Sequence, residues 1–371
     1  MARVPKLWNA VDGVLDNNNW GQILVDYLGV EHAADGTHSA LSVVATGSTT
    51  SRTLANRFAE VRNVQDFGAV GNGTANDTAA LQAAFNLAVS SGTPVYLPEG
   101  TYRITSSLTL DGTSATQRIH VFGDGPHASV ILNQAGASNP TLNLLGTSGL
   151  ATFVGSIFEN FRIDGDASFV NNAVYLQNVT WTTFRNLVLT PNGHGMTLDN
   201  TTIINRFENV DVWPTGYTNV GSTLLVNRDG FRLTGSGAKD RNAFKNCSVY
   251  SGRFGVWSEA TALVGTVFDG FVPVTTWIPG GTYDGRSSAI GASTLTDTAQ
   301  AWTVNALADF LVTIVSGTGN GQTRRIVSNT ATILTVTPPW DTADTPVALA
   351  YYQISGAGMA FFGGGSPVIR D

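Results

Sequence analysis

Residues 158–163, 184–189, 207–212, 244–249 and 268–273 read FENFRI, FRNLVL, FENVDV, FKNCSV and FDGFVP. Each is a Phe, one variable residue, an Asn or Gly, and then a strand-like run. The phenylalanines Phe158, Phe184, Phe207, Phe244 and Phe268 follow one another at steps of 26, 23, 37 and 24 residues. A second element alternates with the first: NAVYL from 172, GMTL from 195, GFRL from 230, GVWS from 255 and GMAF from 358. Repeats of this length, each made of short strands joined by Gly and Asn turns, predict a right-handed parallel β-helix. The longer step carries a loop insertion around TGYTNVGSTLL, and loops tolerate extra length.

Stacking tests the register. Successive coils lie ~4.8 Å apart, so equivalent residues form columns. The phenylalanines predict an inward aromatic stack, and Asn160, Asn186, Asn209 and Asn246 an amide ladder at one turn. The residues between them are Glu159, Arg185, Glu208, Lys245 and Asp269. Their signs alternate coil by coil, as neighbouring outward positions favour, so these charges read as structural ion pairs.

The GMAF element lies 103 residues beyond GVWS. One coil accounts for about 25 of those, leaving roughly 77 for an inserted small β module over 279–354, with the helix resuming at 355–371. An open β-helix end exposes strand edges and needs a cover, which implies a partner or a longer chain.

Composition agrees with this. Gly is 41 of 371 residues, about 11% against a typical ~7%, and charged residues are only 13%. A net charge of -7 with no basic run argues against nucleic acid as partner. No window approaches 18 uninterrupted apolar residues, so no membrane insertion is expected. The start, MARVPKLWNAVDG, has no signal-peptide h-region. The one cysteine, Cys247, leaves no disulfide framework and no multi-cysteine metal site; no metal or cofactor is expected. Residues 1–60 are compositionally distinct, with a short helix expected over 18–30 and too few apolar residues for a core.

Residues 61–87, VRNVQDFGAVGNGTANDTAALQAAFNL, end a strand in a glycine turn and enter one amphipathic helix. Asp77 reads as its N-cap, Leu81, Ala84, Phe85 and Ala88 as its buried stripe, and Gly92 as its stop. With VYLPEGTYRIT, this stretch resembles the opening of the pectate-lyase-like β-helix superfamily over residues 64–105, where the helix caps the solenoid. Asn72 and Asn76 replace two usual aspartates at turn and cap positions. The lead-in GSTTSRTLANRFAEVRNVQDFGA at 47–69 is similar to the connector of bacteriophage tailspikes, as HAADGTH and GTGNGQTRRIVSNTATILTVTPPWD are to phage tail-protein segments. That resemblance implies a homotrimer made in the host cytoplasm and carried on the virion. Residues 1–60 would bind phage tail, baseplate or portal-adaptor proteins, and the capped β-helix at 61–278 would face host cell-surface polysaccharide.

Cleavage of such a polymer needs two carboxylates, ~6.5–9.5 Å apart for inversion. Asp199 and Glu259 share one outward column two coils apart, near ~9.6 Å, and are the candidate catalytic pair. Arg232 and Trp257 flank them as candidate carbohydrate-binding residues. Asp211, Trp213 and Tyr250 form a second outward set suited to sugar stacking, and either set also suits a trimer interface. GHG at 193–195 resembles a polygalacturonase motif, but the companion NTD, DD and RIK motifs are absent. Gly195 matches the turn glycines Gly230 and Gly255, so His194 reads as a turn residue. The expected function is a tailspike that recognises host polysaccharide, with its cleavage left open. The alternative is a non-enzymatic tail fibre or adaptor, and a secreted polysaccharide-degrading enzyme is disfavoured by the missing signal peptide and the long N-terminal segment.

Overall fold

The computed structural model describes residues 42–112, 118–134, 140–149, 152–165, 172–213, 229–250, 254–260, 263–274, 284–355, 357–361 and 367–370. The chain divides into two compact units, Met1–Arg62 and Asn63–Asp371. In the first, Ser42–Val44 pairs antiparallel with Ser51–Thr53, and the helix Leu54–Phe58 follows. Its cap is Thr53, whose Oγ1 accepts the Asn56 N–H at 3.1 Å. The helix expected over 18–30 lies outside the described residues.

The second unit is a parallel solenoid. One sheet runs from Val95–Leu97 through Ile157–Gly165, Thr183–Thr190 and Arg206–Val212 to Val267–Asp269 and Val368–Arg370. A second runs from Leu108–Asp111 through Val174–Gln177, Met196–Asp199, Asp229–Thr234 and Phe254–Ser258 to Ala357–Phe361. Phe158, Phe184, Phe207, Phe244 and Phe268 pair in register and are wholly buried. Their rings stack at 5.1, 5.4, 4.6 and 4.6 Å between centroids. Each buried ring contributes ~1.5–3 kcal/mol by area removed from water, and offset stacking adds to it.

Beside them, Glu159, Arg185, Glu208, Lys245 and Asp269 pair in one column, which continues to Arg370. Arg185 closes onto Glu159 by an ion pair, and His120 Nε2 lies 2.7 Å from the same carboxylate. Burial alone would raise the Glu159 carboxyl, but hydrogen bonds from Arg185 and His120 outweigh it and hold it below the usual carboxylate range.

The amide ladder takes an unexpected local form. Asn186 Nδ2 donates to Asn160 Oδ1 at 3.1 Å, and Asn209 Nδ2 to Asn186 Oδ1 at 3.0 Å. All four Asn have φ between 50 and 60; Asn160, Asn186 and Asn209 bend the chain within a strand, and Asn246 lies between Ala243–Lys245 and Ser248–Tyr250. A further polar column lies inside the coil at the strand entry: Ser156, Thr182, Asn205, Asn242 and Thr266 are fully buried. Asn242 Oδ1 accepts the Asn205 N–H at 2.9 Å, and Asn205 Oδ1 accepts the Thr182 N–H at 2.9 Å. These bonds satisfy turn donors that would otherwise be orphaned inside the solenoid.

The helix Thr78–Ser91 covers the first coil, burying Ala80, Leu81, Ala84, Phe85 and Ala88 and ending at Gly92 with φ 71. Asp77 does not cap it with its side chain. Its carboxylate instead accepts the Val70 and Gly71 N–H groups at 2.7 and 3.1 Å, tying the preceding loop to the helix start. Asn76 takes the capping part, accepting from the Thr78 N–H at 3.2 Å. The Asn in place of Asp thus supplies the same acceptor.

Between Val272–Val274 and Ala357–Phe361 the chain forms a separate antiparallel sheet spanning Asp284–Ser355. It has its own core, including Trp302, Phe310, Trp340 and Tyr352. Leu311 of this sheet packs on Phe254 and Trp257 of the solenoid.

Candidate functional site

Two outward faces of the solenoid carry the residues singled out from the sequence. On the second sheet, Tyr175, Thr197, Arg232 and Trp257 occupy one column. Gln177, Asp199 and Thr234 occupy the column two residues on, and the Glu259 N–H donates to Leu233 O at 2.9 Å, which sets Glu259 next in line. Asp199 and Glu259 therefore stand two strand spacings apart, ~9.6 Å along the column, with Thr234 between them.

Their surroundings differ from the expectation. Trp257 is wholly buried, and the guanidinium of Arg325 lies over its ring at 4.8 Å. Arg325 Nη1 is 2.7 Å from Glu259 Oε1, and its Nη2 donates to Asp309 Oδ1 at 2.6 Å. The antiparallel sheet thus sits on Trp257 and ties up Glu259. Sugar stacking needs an open ring face, so Trp257 is a docking residue and not a platform. Glu259 is an ion-pair partner of a strand more than sixty residues downstream.

Asp199 is held from the other side. The Tyr175 hydroxyl donates to its Oδ2, Gln177 Nε2 approaches the same oxygen at 3.4 Å, and the Asn200 N–H donates to Oδ1 at 2.9 Å. Burial and the Asp199 hydrogen bond push the Tyr175 phenol well above its ordinary range, so it stays a donor.

Arg232 does not stand free for ligand charges. Its Nη1 lies 3.2 Å from His194 Nε2 and 3.8 Å from Asp229 Oδ2. His194 Nδ1 is 3.2 Å from that same oxygen, and Asp229 is fully buried. The Asp229 backbone N–H also donates to His194 Nδ1 at 3.1 Å, so the next coil holds the imidazole at both ring nitrogens. His194 is therefore more than a turn residue. The turn reading holds for its neighbour: a Cβ on Gly195 would fall 2.5 Å from Val212 and from Gly230 O. Asp229 was missed because it precedes the GFRL repeat, and only coil stacking brings it beside His194. Thr197, between Tyr175 and Arg232, is buried and its hydroxyl has no partner.

The second face lies on the other sheet. Asp211 and Ser248 pair across adjacent strands, and the Ser248 hydroxyl donates to the Asp211 carboxylate. Trp213 is 50% exposed, and its ring lies 4.6 Å from that of Tyr250. Here the sequence and the structure place the same three residues, Asp211, Trp213 and Tyr250, together and facing outward. Among the described residues, no three His, Cys, Asp or Glu side chains converge as a metal ion would need, and no helix is long and apolar enough to cross a membrane.

Residues 61–257 match the family model described as rhamnogalacturonase A/epimerase, pectate lyase-like. The chain is 33% identical over 144 residues to the capsule K3-specific depolymerase 1 of Klebsiella phage KP32, covering 33% of this chain and 17% of that protein. It is 42% identical over 72 residues to mannuronan C5-epimerase AlgE2 of Azotobacter vinelandii, covering 19% of this chain and 7% of the epimerase. The chain thus spans a minor part of the curated relatives it matches. Among solved structures, the Dettilon tailspike protein aligns at a TM-score of 0.44 and 13% identity, over 59% of this chain and 40% of that one.

Proposed function

The chain belongs to the pectate-lyase-like family described as rhamnogalacturonase A/epimerase, and from that premise we propose that it is the polysaccharide-recognising part of a phage tailspike. The β-helix engages host cell-surface polysaccharide. Residues 1–60 attach the protein to tail, baseplate or portal-adaptor proteins, residues 279–354 form a module inserted in the solenoid, and the assembly is a homotrimer. The observation that carries the reading is the Trp213–Tyr250 pair. Two aromatic rings on adjacent coils, Trp213 exposed and Tyr250 half-buried, flanked by the hydrogen-bonded Asp211, offer a sugar ring an apolar face and a polar edge together. The similarity to a phage protein named as a capsule depolymerase supports the same substrate class.

The test is binding of the full chain to capsular polysaccharide and lipopolysaccharide purified from the phage's host. Trp213→Ala is expected to weaken binding at least tenfold with the melting temperature unchanged. Wild-type binding by that variant would overturn the assignment.

A second reading, cleavage of the same polymer, is favoured by the polar groups of the second sheet. Asp199, hydrogen-bonded to Tyr175, and Arg232, joined to His194 and Asp229, hold carboxylate, imidazole and guanidinium groups on one face. Trp257 and Glu259 drop out of that constellation. Release of reducing ends that disappears in Asp199→Asn would establish the cleavage reading; equal release in wild type and variant would exclude Asp199.

A further inference from the structure

One edge of the solenoid carries a column that neither outward face uses. The backbone pairing aligns Arg118, Gly155, Trp181, Ile204, Arg241 and Gly265 on successive coils. From Gly155 onward all five have left-handed backbones, with φ of 75, 56, 60, 52 and 69. A left-handed Trp, and still more a left-handed β-branched Ile, is costly and persists only where the surroundings over-determine it. The buried Ser156, Thr182, Asn205, Asn242 and Thr266 column directly behind supplies that constraint through its turn hydrogen bonds.

This rigid edge presents Trp181 outward, 55% exposed, where a large aromatic gains nothing from burial. Val154 and Val264 are exposed in the neighbouring column. Arg118, Arg206 and Arg241 are all exposed along the same edge. Elsewhere in this acidic chain, Arg162, Arg185, Arg232 and Arg325 each stand beside a carboxylate. Among the described residues, none of these three does. Asp240, next to Arg241 in sequence, accepts the Val264 N–H at 3.1 Å, and Glu208, two residues from Arg206, stands in the charge column between Arg185 and Lys245. The two glycines make room for the arginine stems, since a Cβ would meet Arg118 Cδ at 3.3 Å on Gly155 and Arg241 Cγ at 3.2 Å on Gly265.

We propose that this edge is a second binding site, for an acidic polysaccharide lying along the solenoid axis, with Trp181 stacking on a sugar ring and Arg118, Arg206 and Arg241 receiving its anionic groups. The occupant follows from charge complementarity: three exposed guanidiniums, with no carboxylate partner among the described residues, on an edge of a protein with net charge -7 match a polyanion. Arg118 and Arg241 each stand two coils from Trp181, ~9.6 Å by strand spacing, so the cations are strung out for a chain and not converged on a point ligand. The fixed backbone adds affinity because little is left to order on binding. The assignment rests on the polysaccharide reading above and specifies an acidic polymer at a separate edge.

The test is binding of the full chain to polygalacturonate, hyaluronate and polysialic acid at low and high salt, with neutral dextran and double-stranded DNA as comparators. The wild-type protein is expected to bind at least one acidic polymer, weaken with salt, and bind dextran and DNA at least tenfold less tightly. Trp181→Asn keeps a residue suited to left-handed backbone, so folding is preserved, and is expected to lose at least tenfold. The double variant Arg118→Gln/Arg241→Gln is expected to lose binding and most of its salt dependence. Undiminished binding in both variants, no binding of any acidic polymer by wild type, or equal binding of DNA would each overturn the proposal. If those variants bind normally while Trp213→Ala does not, this edge fails and the first site stands.

Discussion

At the scale of single residues, the phenylalanine column and the charge column differ in what they risk. Phe207 is stacked between Phe184 and Phe244 at 5.4 and 4.6 Å. Phe207→Asp leaves a charge without a partner inside that stack and is expected to cost about 4 kcal/mol or more. Asp269→Asn alters a partly exposed carboxylate of the charge column and is expected to cost ~1 kcal/mol or less. Urea unfolding of the two variants separates them; equal losses would contradict the register. Both columns were legible in the sequence because every coil repeats them. The His194–Asp229–Arg232 contact was not, because its members come from two coils and no single repeat unit contains it. Glu159 adds a pH effect. Its folded-state carboxyl is held below the ordinary range, so its stabilisation is complete above the unfolded pKa of ~4.3 and is lost as pH falls through the lower folded value. Glu159→Gln should therefore flatten the acid limb of the stability–pH curve, measured by urea unfolding between neutral and acid pH; an unchanged limb would mean the pair carries no such linkage. Burial of the Cys247 thiol pushes it up to about 12, so thiol reagents should label it only on unfolding; rapid labelling of the native protein would contradict its place in the core.

At the scale of elements, the decisive contact is the one that buried Trp257. Period-two alternation puts Trp257 in one column with Arg232 and Glu259 in the next. Outward is not the same as exposed, because Leu311 and Arg325 of the antiparallel sheet cover that face. Nothing in the local sequence around Trp257 encodes a cover supplied by strands that far along the chain. Arg325 joins both sides through Glu259, Asp309 and the Trp257 ring. Arg325→Met keeps the stem over the ring but leaves two carboxylates without their cation. It is expected to destabilise by about 2–4 kcal/mol, since a partly buried pair is costly to break from one side. The variant should also be cut faster than wild type by limited proteolysis within Asp284–Ser355. Unchanged stability and unchanged cleavage would show that apolar packing at Leu311 suffices to dock it.

At the scale of the whole molecule, each repeat contacts its neighbours, so stability is a sum over coils and the end of the stack needs protection. The helix Thr78–Ser91 provides it at the first coil, burying five apolar side chains there. Among the described residues the main core begins at Val64, within the second unit. Removal of residues 1–62 is therefore expected to leave the solenoid folded, with a melting temperature within a few degrees of the full chain and parallel-β circular dichroism retained. Under the tailspike reading the same truncation abolishes incorporation into virions. Adding a second change, Leu81→Ala in the capping helix, should then lower the melting temperature far more than the truncation did, because a buried Leu→Ala change costs about 2–5 kcal/mol. A truncated protein that unfolds outright would show that the first unit, and not the capping helix, closes the solenoid; a truncated protein that still assembles onto tails would remove the anchoring role from residues 1–60.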